Sequence, residues 1–269
     1  MRRPEPRWHS TPLMRASIAL HLLALLAVFL APAQWPWVLA AVAANHLLIA
    51  FVGLWPRSHW LGPNWTRLPA SAAARGEIAL TIDDGPDPLV TPQVLDLLER
   101  HAARATFFCV GEKAAQYPEL CRDIVRRGHA VENHSQHHRH HFSVMGLGGM
   151  TRELQAAQDT LQTITGRRPL FFRAPAGLRN PFLEPVLAGL GLRLATWSVR
   201  GFDTRVGDAQ RVRMKLLKGL KAGAILLLHD GNAARTSDGV PVILEVLPAV
   251  LDAAAAASLR PVTLQQALA

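Results

Sequence analysis

Two cysteines in 269 residues cannot build a disulfide framework, and neither informs on compartment. Cys109 lies in the apolar run Ala105 to Val110 and reads as a small core residue, with Cys121 its only sulfur-bearing counterpart of that type. Tyrosine occurs once and long runs of lysine and arginine are missing, so the formal net charge of +9 does not describe a nucleic-acid surface. The excess charge sits at one end. Residues 1 to 67 hold Arg2, Arg3, Arg7, Arg15, Arg57 and Arg67 against Glu5 alone, which leaves residues 68 to 269 at only +4. Internal repeats are absent, and the one biased tract, Ala253 to Ala257, reads as helix, so neither a solenoid nor a disordered tail is expected. What is present, 49% hydrophobic and 18% charged residues, excludes a disordered, collagenous or coiled-coil chain and supports one sizeable core with a short appendage.

The longest absence is of charge itself. From Ala16 to Pro56 there are 41 residues without Asp, Glu, Lys or Arg. At about 1.5 Å per residue that is roughly 60 Å of helix, or about two bilayer crossings. Ala31-Pro32-Ala33-Gln34-Trp35-Pro36-Trp37 interrupts the stretch with two prolines that break a helix and two tryptophans suited to a headgroup interface. A transmembrane helical hairpin is expected, with helices at about 16–32 and 37–55 inside a membrane segment 1–56. Arginines flank both ends and the connecting loop is uncharged, which places both ends on the cytoplasmic side of an inner membrane and turns the following domain inward. The rival is a signal peptide cleaved near Ala31-Pro32-Ala33, which leaves the second stretch as the sole anchor. Pro56 to Gly76, with three prolines and two glycines, reads as an interfacial linker, assigned to 57–76.

Beyond Gly76 short apolar runs alternate with helix-period segments. The runs fall near 78–82, 105–109, 129–132, 170–173, 192–198, 224–228 and 260–263, giving seven strands. Thr91-Pro92 opens a helix with Val94, Leu95, Leu97 and Leu98 on one face, and Thr151 opens another carrying Leu154, Ala157, Leu161 and Ile164. Gly128, Gly166, Gly191 and Gly223 stop helices just before the next strand. Strict alternation implies an α/β fold with a parallel sheet. Seven units without a dinucleotide-type glycine-rich turn favour a closed or nearly closed barrel, whose chemistry sits where strands end.

The polar residues of interest fall at those ends. Thr81-Ile82-Asp83-Asp84-Gly85-Pro86 places two carboxylates at the exit of an apolar strand, where they repel unless a cation or strong donors receive them. A metal site with one ligand and one base explains the pair economically; taken alone, the motif is equally an acidic turn. The third strand ends in Glu132-Asn133-His134-Ser135-Gln136-His137-His138-Arg139-His140-His141, and the spacing of His134 and His138 sets two imidazoles on one side of a turn, as zinc sites use. A histidine-rich surface tract is the competing interpretation. The fourth strand runs into Arg173-Ala174-Pro175-Ala176-Gly177 and the sixth into His229-Asp230-Gly231. An acid pair, a histidine pair, an arginine and a terminal histidine in this order at one rim form a coherent set.

From Ile78 to Leu264 the sequence resembles the polysaccharide deacetylase family, whose catalytic unit is the NodB homology domain. The motif around Asp83-Asp84, the stretch His134 to His138, the stretch Arg173 to Gly177, and Leu227-Leu228-His229 carry the resemblance in order. It implies a distorted (β/α)7-type barrel over residues 77–269 following the membrane hairpin. It also implies that Asp84, His134 and His138 hold a divalent metal, zinc or alternatively cobalt. Asp83 would be the general base and His229 the general acid. Arg173 would orient Asp83 and favour its charged form, while Asp203, in Trp197-Ser198-Val199-Arg200-Gly201-Phe202-Asp203-Thr204, would do the same for His229. Pro175, Ala176, Trp197 and Leu227 are the candidate substrate-binding residues, although Trp197 and Leu227 are equally plain core. Departures from the family pattern fall at Ile82, Ala176 and Thr204. An alanine at 176 keeps a backbone N–H for an oxyanion but removes a sugar-stacking face.

The activity this implies is a membrane-anchored, metal-dependent N-deacetylase acting on an N-acetylated sugar of a cell-envelope glycan or its precursor. Two alternatives stay open: a cytoplasm-facing deacylase or deformylase of a lipid-linked amino sugar, and a non-catalytic glycan-binding membrane protein. A nuclease or phosphatase ranks last because no phosphate cradle stands out in the sequence. The expected partners are an N-acylated glycan or lipid-linked sugar and the membrane, with no nucleic acid.

Overall fold

The computed structural model describes residues 8–269. Arg2, Arg3, Glu5 and Arg7, which enter the charge argument, lie outside the described residues.

Two apolar helices come first, α1 (Pro12–Leu30) and α2 (Trp35–Leu54). Thr11 caps α1 by accepting from the Met14 N–H, and Pro32 and Pro36 mark the break between the two. Both helices are long and apolar enough to cross a membrane, and both are mostly exposed. Polar side chains meet between them: Asn45 Nδ2 donates to Ser17 Oγ at 2.9 Å, and the His21 and His46 Nε2 atoms lie 3.3 Å apart. Expected boundaries of 16–32 and 37–55 shift a few residues, because Pro12 starts the first helix and Trp35 already belongs to the second.

After α3 (Ala70–Ala74) the chain enters the alternating part: β1 (Glu77–Asp83), α4 (Thr91–Arg100), β2 (Ala105–Cys109), α5 (Gly111–Gln116), α6 (Pro118–Arg126) and β3 (Ala130–Asn133). There follow α7 (Leu147–Thr165), β4 (Phe171–Phe172), α8 (Leu183–Gly189), β5 (Arg193–Leu194) and β6 (Val199–Arg200). The chain closes with α9 (Ala209–Lys218), β7 (Ile225–His229), α10 (Val242–Ala256) and β8 (Arg260–Pro261). The sheet order is β5-β4-β3-β2-β1-β7-β6 with β8 also paired to β1, and each pairing between named strands is parallel. The curled parallel sheet agrees with the α/β barrel expected from the alternation.

Two local expectations are corrected. The run 192–198 is not one strand: Arg193–Leu194 pairs with β4 at one sheet edge, while Val199–Arg200 pairs with β7 at the other. The segment between must cross the opening of the curl, which gives eight strands among the described residues. The helix expected to open at Thr151 begins at Leu147, because Gly148 and Gly149 sit inside its first turn rather than before it. The four glycines expected to stop helices all adopt positive φ, between 69° at Gly166 and 83° at Gly128.

The stretch expected as a linker is stitched into the sheet. Trp65 N–H donates to Leu194 O and Trp65 O accepts from Thr196 N–H, while Leu68 N–H donates to Gly223 O. Residues 65–68 thus span the gap that β5 and β6 leave unpaired. Leu68 and Ala72 are buried with Phe171, Ile225 and Val262 in one apolar cluster. A larger cluster packs α4, α6, α9 and α10 on the outside of β1, β2 and β7.

Candidate active site

Register brings the site together. Asp83, the last residue of β1, is level with His229, the last of β7, and Cys109 at the end of β2 is level with Asn133 at the end of β3. Every strand is parallel, so these C-terminal ends form one rim.

Asp83 is buried and accepts from Arg173 Nη1 at 2.7 Å. Arg173 is itself fully buried: Nη1 also reaches Thr81 Oγ1 at 2.7 Å, Nε donates to Ala195 O, and Nη2 donates to Thr196 O at 2.7 Å. Its guanidinium lies 4.2 Å from the Phe108 ring centroid. Burial pulls the Arg173 pKa down and Asp83 opposes that pull, so each member of this ion pair requires the other.

The next residue diverges. Asp84 takes φ 72°, which turns its side chain away from that of Asp83 toward the turn after β3. Its Oδ1 lies 3.1 Å from both His134 Nε2 and His138 Nε2. Burial raises the Asp84 pKa, but the two imidazoles outweigh it and hold the carboxyl below the ordinary range. The turn is built by short side chains: Ser135 N–H donates to Asn133 Oδ1 and His138 N–H donates to Ser135 Oγ, while Asn133 Nδ2 ties the turn to Leu154 O of α7. Ser135 and His138 also adopt positive φ.

The donor set fits a divalent cation. Ligand atoms of Asp84, His134 and His138 all lie within 4.8 Å of one another. His134 Nδ1 is 2.8 Å from Arg173 O, which can only accept. In the neutral ring this makes Nδ1 the donor and leaves the Nε2 lone pair facing a carboxylate oxygen. Such an arrangement is repulsive unless a cation lies between, and two imidazoles with one carboxylate are the donors a borderline metal takes.

Opposite Asp84, His229 Nδ1 lies 2.9 Å from Asp203 Oδ1, and the His229 backbone N–H donates to Asp203 Oδ2 at 2.7 Å. Burial pushes the imidazole pKa down; the Asp203 charge overcomes this and raises it above the ordinary value. The groups open onto a cleft of about 540 Å³. Ala176, Trp197 and Leu227 line it beside the acids and histidines, whereas Pro175 is buried outside the lining. His137 and His140 also face the cleft, and His137 Nδ1 is held 2.8 Å from Glu153 Oε1.

Several contributors escaped the sequence analysis. Asn232 Nδ2 donates to Asp84 Oδ2 at 3.2 Å, and Lys113 Nζ donates to Asp84 O at 2.7 Å. Asp230 is buried beneath the site, accepts from Thr91 Oγ1 and the Gly231 N–H, and is pushed up to about 6 by burial. Gly231 is required by close approach, since a Cβ there would lie 2.1 Å from Asp84 O. Asp230 and Asn232 directly follow His229 and were findable as strand-end polar residues. Lys113 had no local signal.

The comparisons agree with this geometry. The family model described as polysaccharide deacetylase matches residues 70–195. A chitooligosaccharide deacetylase of Azorhizobium caulinodans is 37% identical over 160 residues, covering 58% of this chain and 75% of its own length. A peptidoglycan-N-acetylglucosamine deacetylase of Bacillus cereus is 34% identical over 173 residues, covering 64% of this chain and 80% of its own. Among solved structures, a family 4 carbohydrate esterase from Streptomyces lividans in complex with acetate has a TM-score of 0.62 at 31% identity, covering 69% of this chain and 91% of that one.

Proposed function

The chain belongs to the polysaccharide deacetylase family and is a carbohydrate deacetylase; from that premise we propose that it is a membrane-anchored, zinc-dependent enzyme removing the N-acetyl group from a sugar of a cell-envelope glycan or its precursor. The observation that carries this reading is the convergence on one cleft of the Asp84–His134–His138 trio, the Asp83–Arg173 pair and the His229–Asp203 pair. Relatives named as chitooligosaccharide and peptidoglycan-N-acetylglucosamine deacetylases support the substrate class.

Asp84, His134 and His138 would hold the ion. When bound, zinc or cobalt supplies Lewis-acid polarisation of the amide carbonyl and of the attacking water. Asp83, oriented by Arg173, takes the proton from that water as its oxygen attacks the carbonyl carbon. His229, whose protonated form the Asp203 charge favours, gives a proton to the departing nitrogen as the C–N bond breaks, so one water and one amide become a carboxylic acid and an amine. Ala176, Trp197 and Leu227 bound the space for the acyl group. The α1–α2 hairpin supplies the anchor, residues 57–76 follow it, and the catalytic domain occupies 77–269. The flanking arginines support a cytoplasmic position for that domain at the inner membrane.

Acetate release by the full chain in detergent, with added zinc, from N-acetylglucosamine oligosaccharides tests the reading. Release is expected to require the metal and to fall by roughly 10²- to 10⁴-fold in Asp83→Asn, the range for one proton-transfer partner. Metal-independent release, or full activity in Asp83→Asn, would overturn it.

A further inference from the structure

The cleft holds a cation that the deacetylation scheme leaves unused. Arg200, at the end of β6, lines the cleft, and among the described residues its guanidinium takes part in no hydrogen bond or ion pair. Its guanidinium is positioned instead by two aromatic rings, 5.2 Å from the Trp197 centroid and 5.0 Å from the Phe202 centroid. Phe202 holds this place at φ 66°, a backbone conformation unfavourable for a bulky side chain. The Arg200 Nε is buried without an acceptor. An unmatched buried donor is costly, and it marks a place where an acceptor is missing.

The nearby carboxylates do not supply that acceptor. Asp83 is committed to Arg173, Asp203 to His229, and Asp84 to the two imidazoles. Arg205 lines the same side of the chain segment without an ion pair among the described residues, and Lys113 adds a further positive charge. A neutral oligosaccharide offers these cations only hydroxyl and amide acceptors, whereas an oxyanion also matches their charge. A planar guanidinium held against two aromatic rings suits bidentate recognition of a phosphate or similar oxyanion.

The position of the cleft narrows the source. Its wall at Gly177 rests on Pro56, two residues past the end of α2: a Cβ on Gly177 would lie 2.8 Å from Pro56 Cβ and 2.6 Å from the Trp197 ring. The same loop is tied to the hairpin by the Arg179 N–H, which donates to Gly53 O at 3.1 Å, and by the Arg179 guanidinium, which donates to Ser58 O. Resting on the reading that the cleft deacylates an N-acylated sugar, we propose that the substrate is a phosphate-bearing sugar whose phosphate is received by Arg200, and that it is presented at the membrane surface on a lipid carrier.

The test compares acyl release by the zinc-loaded full chain in detergent micelles from three N-acetylglucosamine compounds: a polyprenyl diphosphate, a nucleotide diphosphate and a neutral chitooligosaccharide. The diphosphates are expected to exceed the neutral sugar roughly 10- to 100-fold in kcat/KM, the range of a charged hydrogen bond. The difference should lie in KM, shrink in Arg200→Gln, and be partly restored in Arg200→Lys. Preference for the lipid form over the nucleotide form identifies the membrane as the source; the reverse order removes the lipid carrier and keeps the phosphate. Equal rates on the neutral sugar overturn the inference while leaving the deacetylase reading intact. If no sugar releases an acyl group, binding followed by tryptophan fluorescence decides: tighter binding of the diphosphates, lost in Arg200→Gln, keeps the anion site, and equal binding removes it.

Discussion

At the residue scale, the two carboxylates Asp83 and Asp84 show how one backbone angle assigns different environments to chemically identical neighbours. Asp83 keeps the extended geometry of β1 and meets a buried guanidinium, whereas φ 72° turns Asp84 toward two imidazoles. The pairing of His229 with Asp203 is of the same kind, since an imidazole this buried would otherwise lose its proton. Asp203 raises the His229 pKa, so it extends the protonated form, the one the proposed general acid needs, to higher pH. Asp203→Asn keeps the shape and removes the charge, and the alkaline limb of the kcat/KM profile is expected to move to lower pH, along with a loss of rate at neutral pH. A variant with reduced rate and an unmoved limb would show that Asp203 acts on something other than the His229 proton.

At the element scale, a buried carboxylate fastens β3 to its surroundings. Glu132 Oε2 accepts from the backbone N–H groups of Leu170 and Phe171 at the start of β4, and its Oε1 accepts from Gln265 Nε2 near the C-terminus. Burial pushes its pKa up to about 7 from an ordinary 4.5. The folded state therefore binds the proton more tightly than the unfolded chain, so stability from this group is full below the unfolded value and is lost as pH rises toward 7. At roughly 1.4 kcal/mol per unit the loss is on the order of 3 kcal/mol. Glu132→Gln should flatten this part of the pH dependence of Tm; an unchanged slope between pH 4.5 and 7 would exclude Glu132 as its source. The same elements show what was readable beforehand. β1, β2 and β7 were legible because their runs of buried residues are long, and Asp83, Asp84, His134, His138 and His229 were legible as polar punctuation at strand ends. Two-residue strands such as β5 and β6 carry too little pattern to be separated, and their partners are set by the curl of the sheet. Arg200 and Lys113 were invisible for the same reason: only tertiary geometry brings them to the cleft. The role of residues 65–68 was hidden because proline and glycine around them imitate a loose tether. Leu68 is buried against strands far away in sequence, so Leu68→Ala is expected to cost about 2–4 kcal/mol in chemical denaturation. A fragment beginning at 57 should fold and one beginning at 77 should be strongly destabilised. Equal stability of the two fragments would show that the stitch is dispensable.

At the scale of the whole molecule, the question is whether α1 and α2 act as one unit, because a cleaved leader and a retained hairpin share the same composition. Polar residues within apolar helices distinguish them. Ser17 and His21 on α1 face Asn45 and His46 on α2, with the Asn45–Ser17 bond at 2.9 Å and His21 Nδ1 2.7 Å from Ser17 O. Removal of α1 at Ala31-Pro32-Ala33 would strand Asn45 and His46 in hydrocarbon, where an interhelical hydrogen bond is worth about 0.6–2 kcal/mol. The second helix also joins the catalytic domain directly, with Gly53 O accepting from the Arg179 N–H beside the cleft wall. A hairpin whose two helices satisfy one another, and whose end supports the site, is expected to stay in the mature protein. A C-terminally tagged chain should then run at the full 29.4 kDa in the membrane fraction and resist alkaline extraction, with the tag inaccessible from the outer side of the inner membrane. A shorter species processed near residue 33 would establish α1 as a leader. It would leave the expected sidedness unchanged, because a single remaining span whose N-terminus has been exported re-enters with the arginine flank at 57 and 67 on the cytoplasmic side.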